Sequence, residues 1–214
     1  PVCGRHPELP IHGFAMRMPW HILEHKPSCC RLGLEDSSRT RSVFPHAFSL
    51  ELEYRIKENE FFCGLSVRNT GPVPMPFYAG FHPYFSTPGN KADILLEAAP
   101  KQRHLYNADF TDVTGTAPPP VFPATLVQPA LNQMLLAVSG QPDTSLLFPD
   151  GFGLKMNAST EFRYRQLYTL PGHPFFCVEP WMAAPGATAR GEHITLNPGE
   201  DLTASITISS WSMI

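Results

Sequence analysis

Alternating apolar and polar positions between residues 48 and 67 give the clearest signal of local structure in the chain. From Leu50 to Ile56, every second residue is apolar and the residues between are charged. This period of two is that of a strand with one buried face. Residues 58–60 separate this run from a second apolar run, residues 61–67, which ends at a cluster of turn residues. The pattern predicts a β-hairpin over 48–67.

Short apolar runs of strand length recur through the rest of the chain and predict an all-β fold. The stretch 116–123 contains four prolines and is expected to be an extended loop. Residues 125–138 have a helix-like apolar density that Pro129 interrupts, so we expect a short helix or an irregular strand there. Further strands are predicted at 20–23, 93–97, 146–148, 153–157, 165–170, 175–178 and 205–209.

The composition supports a single strand-rich domain and argues against several classes of partner. The 214 residues include 24 prolines and only 16% charged side chains, which favours strands and loops over helices. A net charge of −3 offers no electrostatic surface for nucleic acid or anionic membranes. Five cysteines without framework spacing are simplest to explain as reduced thiols, so we expect a cytoplasmic protein.

Two segments place a titratable side chain among aromatic or apolar neighbours. The first is Gly80-Phe81-His82-Pro83-Tyr84-Phe85, in which the proline biases His82 toward an extended backbone. The second is Cys177-Val178-Glu179-Pro180-Trp181, where a carboxylate lies in an apolar run beside an indole. We interpret His82 and Glu179 as a candidate acid-base pair. The alternatives are a hydrogen-bonded core histidine and one half of a buried ion pair.

A third segment, His12-Gly13-Phe14-Ala15, completes a set of motifs with the two above. In this order the chain resembles the aldose 1-epimerase family, the galactose mutarotase-like proteins, and especially the bacterial branch with glucose-6-phosphate 1-epimerase-like members. The resemblance covers essentially all of residues 1–214. It implies one large antiparallel β-sandwich domain, shortened at its amino end, with a sugar cleft on one sheet. It also implies no metal or organic cofactor, a small sugar as substrate, and a monomer or homodimer.

The resemblance further implies roles for individual residues. His82 matches the general acid of the family and Glu179 its general base, which together would interconvert α and β anomers by ring opening and closure. His12 would donate to sugar oxygens, and Arg5 would replace an arginine that contacts the sugar. Three aromatic side chains are candidate stacking surfaces for the sugar, with core packing as the alternative for each. They are Phe14, Tyr84 and Trp181.

The chain departs from the family pattern at two further points. Met16 occupies a position where close relatives have arginine, and on an extended strand the next residue, Arg17, would face the opposite way. We therefore expect weak recognition of a sugar phosphate. Relatives also carry a sugar-binding aspartate in the middle of the chain, where this sequence offers only Asn132 or Asp143.

Two other functional hypotheses remain at this point. A non-catalytic carbohydrate-binding or regulatory sandwich would keep the cleft without efficient turnover, and the missing aspartate favours it. A cupin-like metal enzyme would need clustered ligands such as His-x-His on one strand, and the nine histidines supply no such pair. The presence of both His82 and Glu179 favours the epimerase.

Overall fold

The computed structural model describes Leu9 and residues 11–212, and nearly half of that length lies in antiparallel strands. Two four-residue helices, α1 (Ser38–Arg41) and α2 (Ala187–Arg190), accompany the strands. Three short 3₁₀ helices cover Ala15–Arg17, Lys91–Asp93 and Pro129–Leu131. The strands are β1 (His21–Lys26), β2 (Cys29–Glu35), β3 (Phe48–Lys57), β4 (Glu60–Asn69), β5 (Met75–Phe77), β6 (Tyr84–Ser86), β7 (Leu95–Glu97), β8 (Gln102–Tyr106), β9 (Val113–Ala117), β10 (Ala124–Thr125), β11 (Met134–Ala137), β12 (Thr144–Leu147), β13 (Phe152–Ala158), β14 (Tyr164–Tyr168), β15 (Phe175–Trp181), β16 (Ile194–Leu196) and β17 (Asp201–Ser212).

Two large sheets form the body of the molecule. The larger sheet has nine strands in the order β1-β2-β3-β4-β17-β13-β12-β7-β10, and the smaller has six in the order β6-β15-β14-β11-β8-β9. A separate pair, β16 and β5, forms a short two-stranded ladder. Two antiparallel sheets around one core form a β-sandwich, so the predicted all-β sandwich class is confirmed.

The hydrophobic core lies between the two large sheets, because one face of each sheet contributes to a single buried cluster. Leu65 on β4 and Ile206 on β17 come from the nine-stranded sheet. Leu167 on β14 and Val178 on β15 come from the six-stranded sheet. Their burial removes a large apolar area from water, at about 25 cal/mol per Å². The opposite face of the six-stranded sheet points away from this core.

The predicted hairpin over 48–67 is confirmed as β3 and β4, which pair from Phe48 with Asn69 to Lys57 with Glu60. The turn between them contains Glu58 in a left-handed conformation, with φ 53°. The other predicted strands each overlap a strand of the structure, although their boundaries differ by a few residues. The structure contains no helix, within its described residues, that is long and apolar enough to cross a membrane.

Two local expectations need correction. The stretch 125–138 is neither one helix nor one strand, because the 3₁₀ turn at Pro129–Leu131 separates β10 from β11. The segment with Met16 and Arg17 is a 3₁₀ helix, so the expected opposite facing of these two side chains does not follow from a strand period. Several short strands were not predicted, since runs of three to five residues carry too little periodicity.

Candidate active site

Strand β15 carries the carboxylate because its side chains alternate between the core and the outer face of the six-stranded sheet. Phe176 and Val178 belong to the core cluster, whereas Cys177 and Glu179 point to the other face. Glu179 is nevertheless almost fully buried, with its side chain 2% exposed. A carboxylate buried in this way needs partners from neighbouring elements.

The segment before β6 brings the histidine to this carboxylate. Gly80 forms an isolated bridge with Trp181, and the N–H of Phe81 donates to the carbonyl of Pro180 over 3.0 Å. A Cβ at Gly80 would lie 2.7 Å from the Trp181 ring and 3.0 Å from the Pro180 carbonyl oxygen. Glycine is therefore required for this close approach. The approach places His82 beside the outer face of β15.

His82 and Glu179 form a directly contacting pair. The Nε2 atom of His82 lies 3.3 Å from Oε1 of Glu179. The second carboxylate oxygen, Oε2, accepts a 3.1 Å hydrogen bond from the indole N–H of Trp181. The side chain of His82 remains 28% exposed, so one partner of the pair is open to a ligand and the other is enclosed.

Burial shifts the pKa values of the two groups in opposite directions. Loss of solvation raises the pKa of Glu179 to about 8, and the hydrogen bond from Trp181 opposes that rise. Loss of solvation, together with the charge of His12, lowers the pKa of His82. Because burial raises the pKa of the carboxyl above that of the imidazole, the pair holds one proton near neutral pH, and this proton lies mainly on Glu179.

Three rings surround the imidazole of His82. The His12 ring meets it edge to face with centroids 5.1 Å apart, and His12 has a left-handed backbone with φ 64°. Tyr84 stacks on it almost in parallel, at 4.8 Å and 10°. Tyr168 contacts it edge on at 6.4 Å. These contacts hold the imidazole plane in one orientation relative to Glu179.

The structure therefore assembles most, but not all, of the residues that the sequence suggested for a site. His82 and Trp181 contact Glu179, and His12 and Tyr84 contact the imidazole of His82. Phe14 instead packs against Phe44 and Phe48, with centroids 5.7 and 5.6 Å away, and these contacts match core packing and not a stacking surface for sugar. Arg5 lies outside the described residues.

The two candidates for the mid-chain aspartate have other partners. Asn132 accepts a hydrogen bond from the backbone N–H of Thr169 through its side-chain oxygen. Asp143 contacts Lys155 and Asn157 on the nine-stranded sheet. Neither contact involves His82 or Glu179, so no sugar-binding role for either residue is supported by these positions.

Three side chains near the pair were not singled out from the sequence. The thiol of Cys177 lies on the same face of β15 as Glu179, a relation that the strand period alone could have indicated. Gln166 faces Glu179 across the sheet and accepts a 2.5 Å hydrogen bond from the Tyr106 hydroxyl. Lys91 reaches Thr169 Oγ1 at 2.6 Å and lies over the Phe175 ring. Only the fold brings Gln166 and Lys91 to this region.

The arrangement is suited to moving protons between two oxygens on one carbon. A buried carboxylate and a half-exposed imidazole lie next to each other on one face, with aromatic side chains around them. Oxygens bonded to the same carbon are close together, so an acid and a base that serve both must also be neighbours. A hemiacetal carbon, with its hydroxyl and its ring oxygen, has this geometry.

Comparisons with known proteins agree with the fold and the motifs. Residues 2–209 match the family described as aldose 1-epimerase. A galactose mutarotase related enzyme from Lactobacillus acidophilus is similar in structure with a TM-score of 0.84 at 19% identity, over 94% of this chain and 74% of that one. A galactose mutarotase-like protein from Clostridium acetobutylicum also has a TM-score of 0.84, at 16% identity, over 94% of this chain and 69% of that one. Galactose 1-epimerase from Lactobacillus acidophilus NCFM has a TM-score of 0.74 at 16% identity, over 94% of this chain and 69% of that one.

Proposed function

Since this chain belongs to the aldose 1-epimerase family, we propose that it interconverts the α and β anomers of a hexose, with His82 as general acid and Glu179 as general base. The observation that carries the proposal is the 3.3 Å contact between His82 Nε2 and Glu179 Oε1 on the polar face of the six-stranded sheet. Acid and base are thus already side by side where a hemiacetal would need both.

The pair holds one proton, which the pKa shifts place on Glu179 in the resting protein; its transfer to His82 across the 3.3 Å contact gives the imidazolium and the carboxylate from which the reaction starts. Glu179 removes the proton of the anomeric hydroxyl, and the electrons of that O–H bond form the C1 carbonyl. The bond from C1 to the ring oxygen breaks, and its electron pair takes the proton of His82. Rotation about the C1–C2 bond presents the other face of the carbonyl. On closure the C5 hydroxyl oxygen attacks C1 and returns its proton to His82, while the former carbonyl oxygen takes the proton held by Glu179, so the pair again holds one proton.

The surrounding side chains support these two transfers. Trp181 holds Oε2 of Glu179 by a 3.1 Å hydrogen bond, while Oε1 faces His82. Tyr84 and His12 fix the imidazole, and the exposed His12 is free to donate to sugar oxygens. Tyr84 is 60% exposed, so part of its ring is also available to an apolar sugar face.

Polarimetry tests the proposal directly. Freshly dissolved α-glucose and α-galactose should reach their equilibrium rotation faster with the protein than in buffer alone. His82→Ala and Glu179→Gln should each lose about 10²–10⁴-fold of this acceleration, the usual contribution of one proton-transfer group. His25→Ala and Glu97→Gln, both at exposed positions on the nine-stranded sheet, serve as controls.

The rates and a binding measurement together separate this function from a non-catalytic sugar-binding module. If the wild-type protein binds either sugar by calorimetry but leaves the rate of mutarotation at that of buffer, the module is the correct description. If both site variants keep the wild-type rate, the assignment of His82 and Glu179 is wrong.

A further inference from the structure

Three different metal-ligating groups meet at one point of the six-stranded sheet. A ring nitrogen of His82, the thiol sulfur of Cys177 and a carboxylate oxygen of Glu179 all lie within 4.8 Å of one another. Imidazole, thiolate and carboxylate are the three ligand types that zinc accepts in proteins. The thiol has no part in the proton transfers described above, so its presence beside the acid-base pair calls for a separate explanation.

The strand geometry accounts for this juxtaposition. Cys177 and Glu179 are two residues apart on β15, so their side chains leave the same face of the sheet. Cys177 pairs with Tyr84 on the adjacent strand β6, and His82 lies two residues before Tyr84. Two donors therefore come from one strand and the third from the approach to its neighbour. All three are held by backbone pairing before any ligand arrives.

We propose that His82, Cys177 and Glu179 form a binding site for one zinc ion, and that the bound ion inhibits the enzyme. Donors around a tetrahedral zinc are about 3.5 Å apart, given bond lengths of roughly 2.0–2.3 Å. The separation of 3.3 Å between His82 Nε2 and Glu179 Oε1 already has this size. The sulfur lies within 4.8 Å of the other two donors, so it needs to approach each of them by roughly 1.3 Å at most.

Charge and access also suit a divalent cation. When the ion binds, the Cys177 thiol loses its proton to solvent, and the resulting thiolate and the Glu179 carboxylate together neutralise the two positive charges. The side chain of Cys177 is inaccessible, so the ion enters from the exposed side of His82. Three protein ligands leave a fourth position there for water.

Inhibition follows because the ion binds the same two groups that transfer protons, His82 and Glu179. This part of the inference rests on the proposed function. A zinc bound to His82 nitrogen and Glu179 oxygen blocks the proton donor and the proton acceptor at once. The metal-free protein is the active form, and the free zinc concentration sets the fraction of active molecules. A chelator should therefore raise or maintain activity and should never abolish it.

Cobalt spectroscopy detects the site without any measurement of activity. Chelator-treated protein titrated with Co²⁺ should show a thiolate-to-cobalt charge-transfer band that saturates at one ion per chain. Cys177→Ala should lose this band and weaken Zn²⁺ binding by at least tenfold in calorimetry. Cys63→Ala removes a different buried thiol, on β4, and should leave the band and the affinity of the site unchanged.

Zinc inhibition provides the second measurement, with each variant compared with its own metal-free rate. Micromolar Zn²⁺ should stop mutarotation by the wild-type protein, and an excess of chelator should restore it. Cys177→Ala should need at least ten times more Zn²⁺ for half inhibition. Equal inhibition of Cys177→Ala and wild type would overturn the proposal.

X-ray absorption of the zinc-loaded wild-type protein makes the conclusion independent of whether a variant folds. The expected spectrum has one sulfur at about 2.3 Å and nitrogen or oxygen ligands at about 2.0–2.1 Å. A shell with no sulfur would overturn the site. A sulfur shell in a protein without mutarotase activity would support the site and contradict the proposed function, so the two proposals fail separately.

Discussion

The indole N–H of Trp181 donates a 3.1 Å hydrogen bond to Oε2 of Glu179, two residues earlier on the same strand. The other carboxylate oxygen lies 3.3 Å from His82 Nε2. Each oxygen thus has its own partner, and the carboxylate plane is fixed by a donor that is itself part of β15. Trp181 acts here as a positioning residue for the candidate base, in addition to any contact with sugar.

Trp181→Phe should reduce activity by about 10–100-fold while leaving the fold intact. The substitution removes a hydrogen bond to a charged group, which is worth about 1.5–3 kcal/mol, and it keeps most of the ring. Because that bond lowers the pKa of Glu179, its loss should move the alkaline limb of the kcat/KM profile to higher pH. Polarimetric rates across pH provide the measurement. Trp211→Phe, on the nine-stranded sheet, is the control and should leave the profile unchanged.

The pH dependence of the wild-type kcat/KM should be bell-shaped. The active pair holds one proton, so activity falls when a second proton binds at low pH and when the last proton leaves at high pH. The high-pH fall should be centred near the Glu179 pKa of about 8. The low-pH fall should lie below the ordinary histidine pKa of 6.5, since burial and His12 lower the pKa of His82. Rates that keep rising above pH 9 in metal-free buffer would contradict this assignment.

Tyr84→Ala should lower kcat by about tenfold, because the imidazole of His82 loses the ring that stacks on it at 4.8 Å. An aromatic pair of this kind is worth about 0.5–1.5 kcal/mol, and small displacements of a catalytic group are costly. Tyr84→Phe keeps the ring and should retain most of the activity. If the two substitutions reduce kcat equally, the hydroxyl and not the stacking contact is what matters.

The protein should show at most a few-fold preference for glucose 6-phosphate over glucose. A phosphate is held best by a bidentate guanidinium, and the resemblance to glucose-6-phosphate 1-epimerase-like proteins implies an arginine where this chain has Met16, a residue that is 68% exposed. Mutarotation rates on glucose 6-phosphate and on glucose, compared at low and at high salt, measure the preference. Met16→Arg is expected to increase the preference for the phosphorylated sugar. A hundredfold preference in the wild-type protein, equivalent to about 2.7 kcal/mol, would show that another cation binds the phosphate. Lys91→Gln would then identify it, since Lys91 lies over the Phe175 ring close to Tyr84.

Several features of this protein were already determined by its sequence. The hairpin of β3 and β4 follows from strict alternation of apolar and charged side chains, because a strand with one buried face tolerates no other pattern. The high proline content and the recurring short apolar runs were sufficient for the all-β class. The family followed from three motifs in order, and the match over residues 2–209 confirms it.

Other features depended on contacts between residues far apart in the chain, which no local pattern encodes. The pairing of β15 with β6 and the close approach at Gly80 bring His82 to Glu179, and burial by the surrounding strands raises the pKa of that carboxyl. The sequence around Phe14 made it a candidate stacking ring for a sugar, yet the fold packs it against Phe44 and Phe48. Composition and periodicity specify which faces are buried, whereas the distances and solvation that give side chains their chemistry arise only when both sheets are assembled.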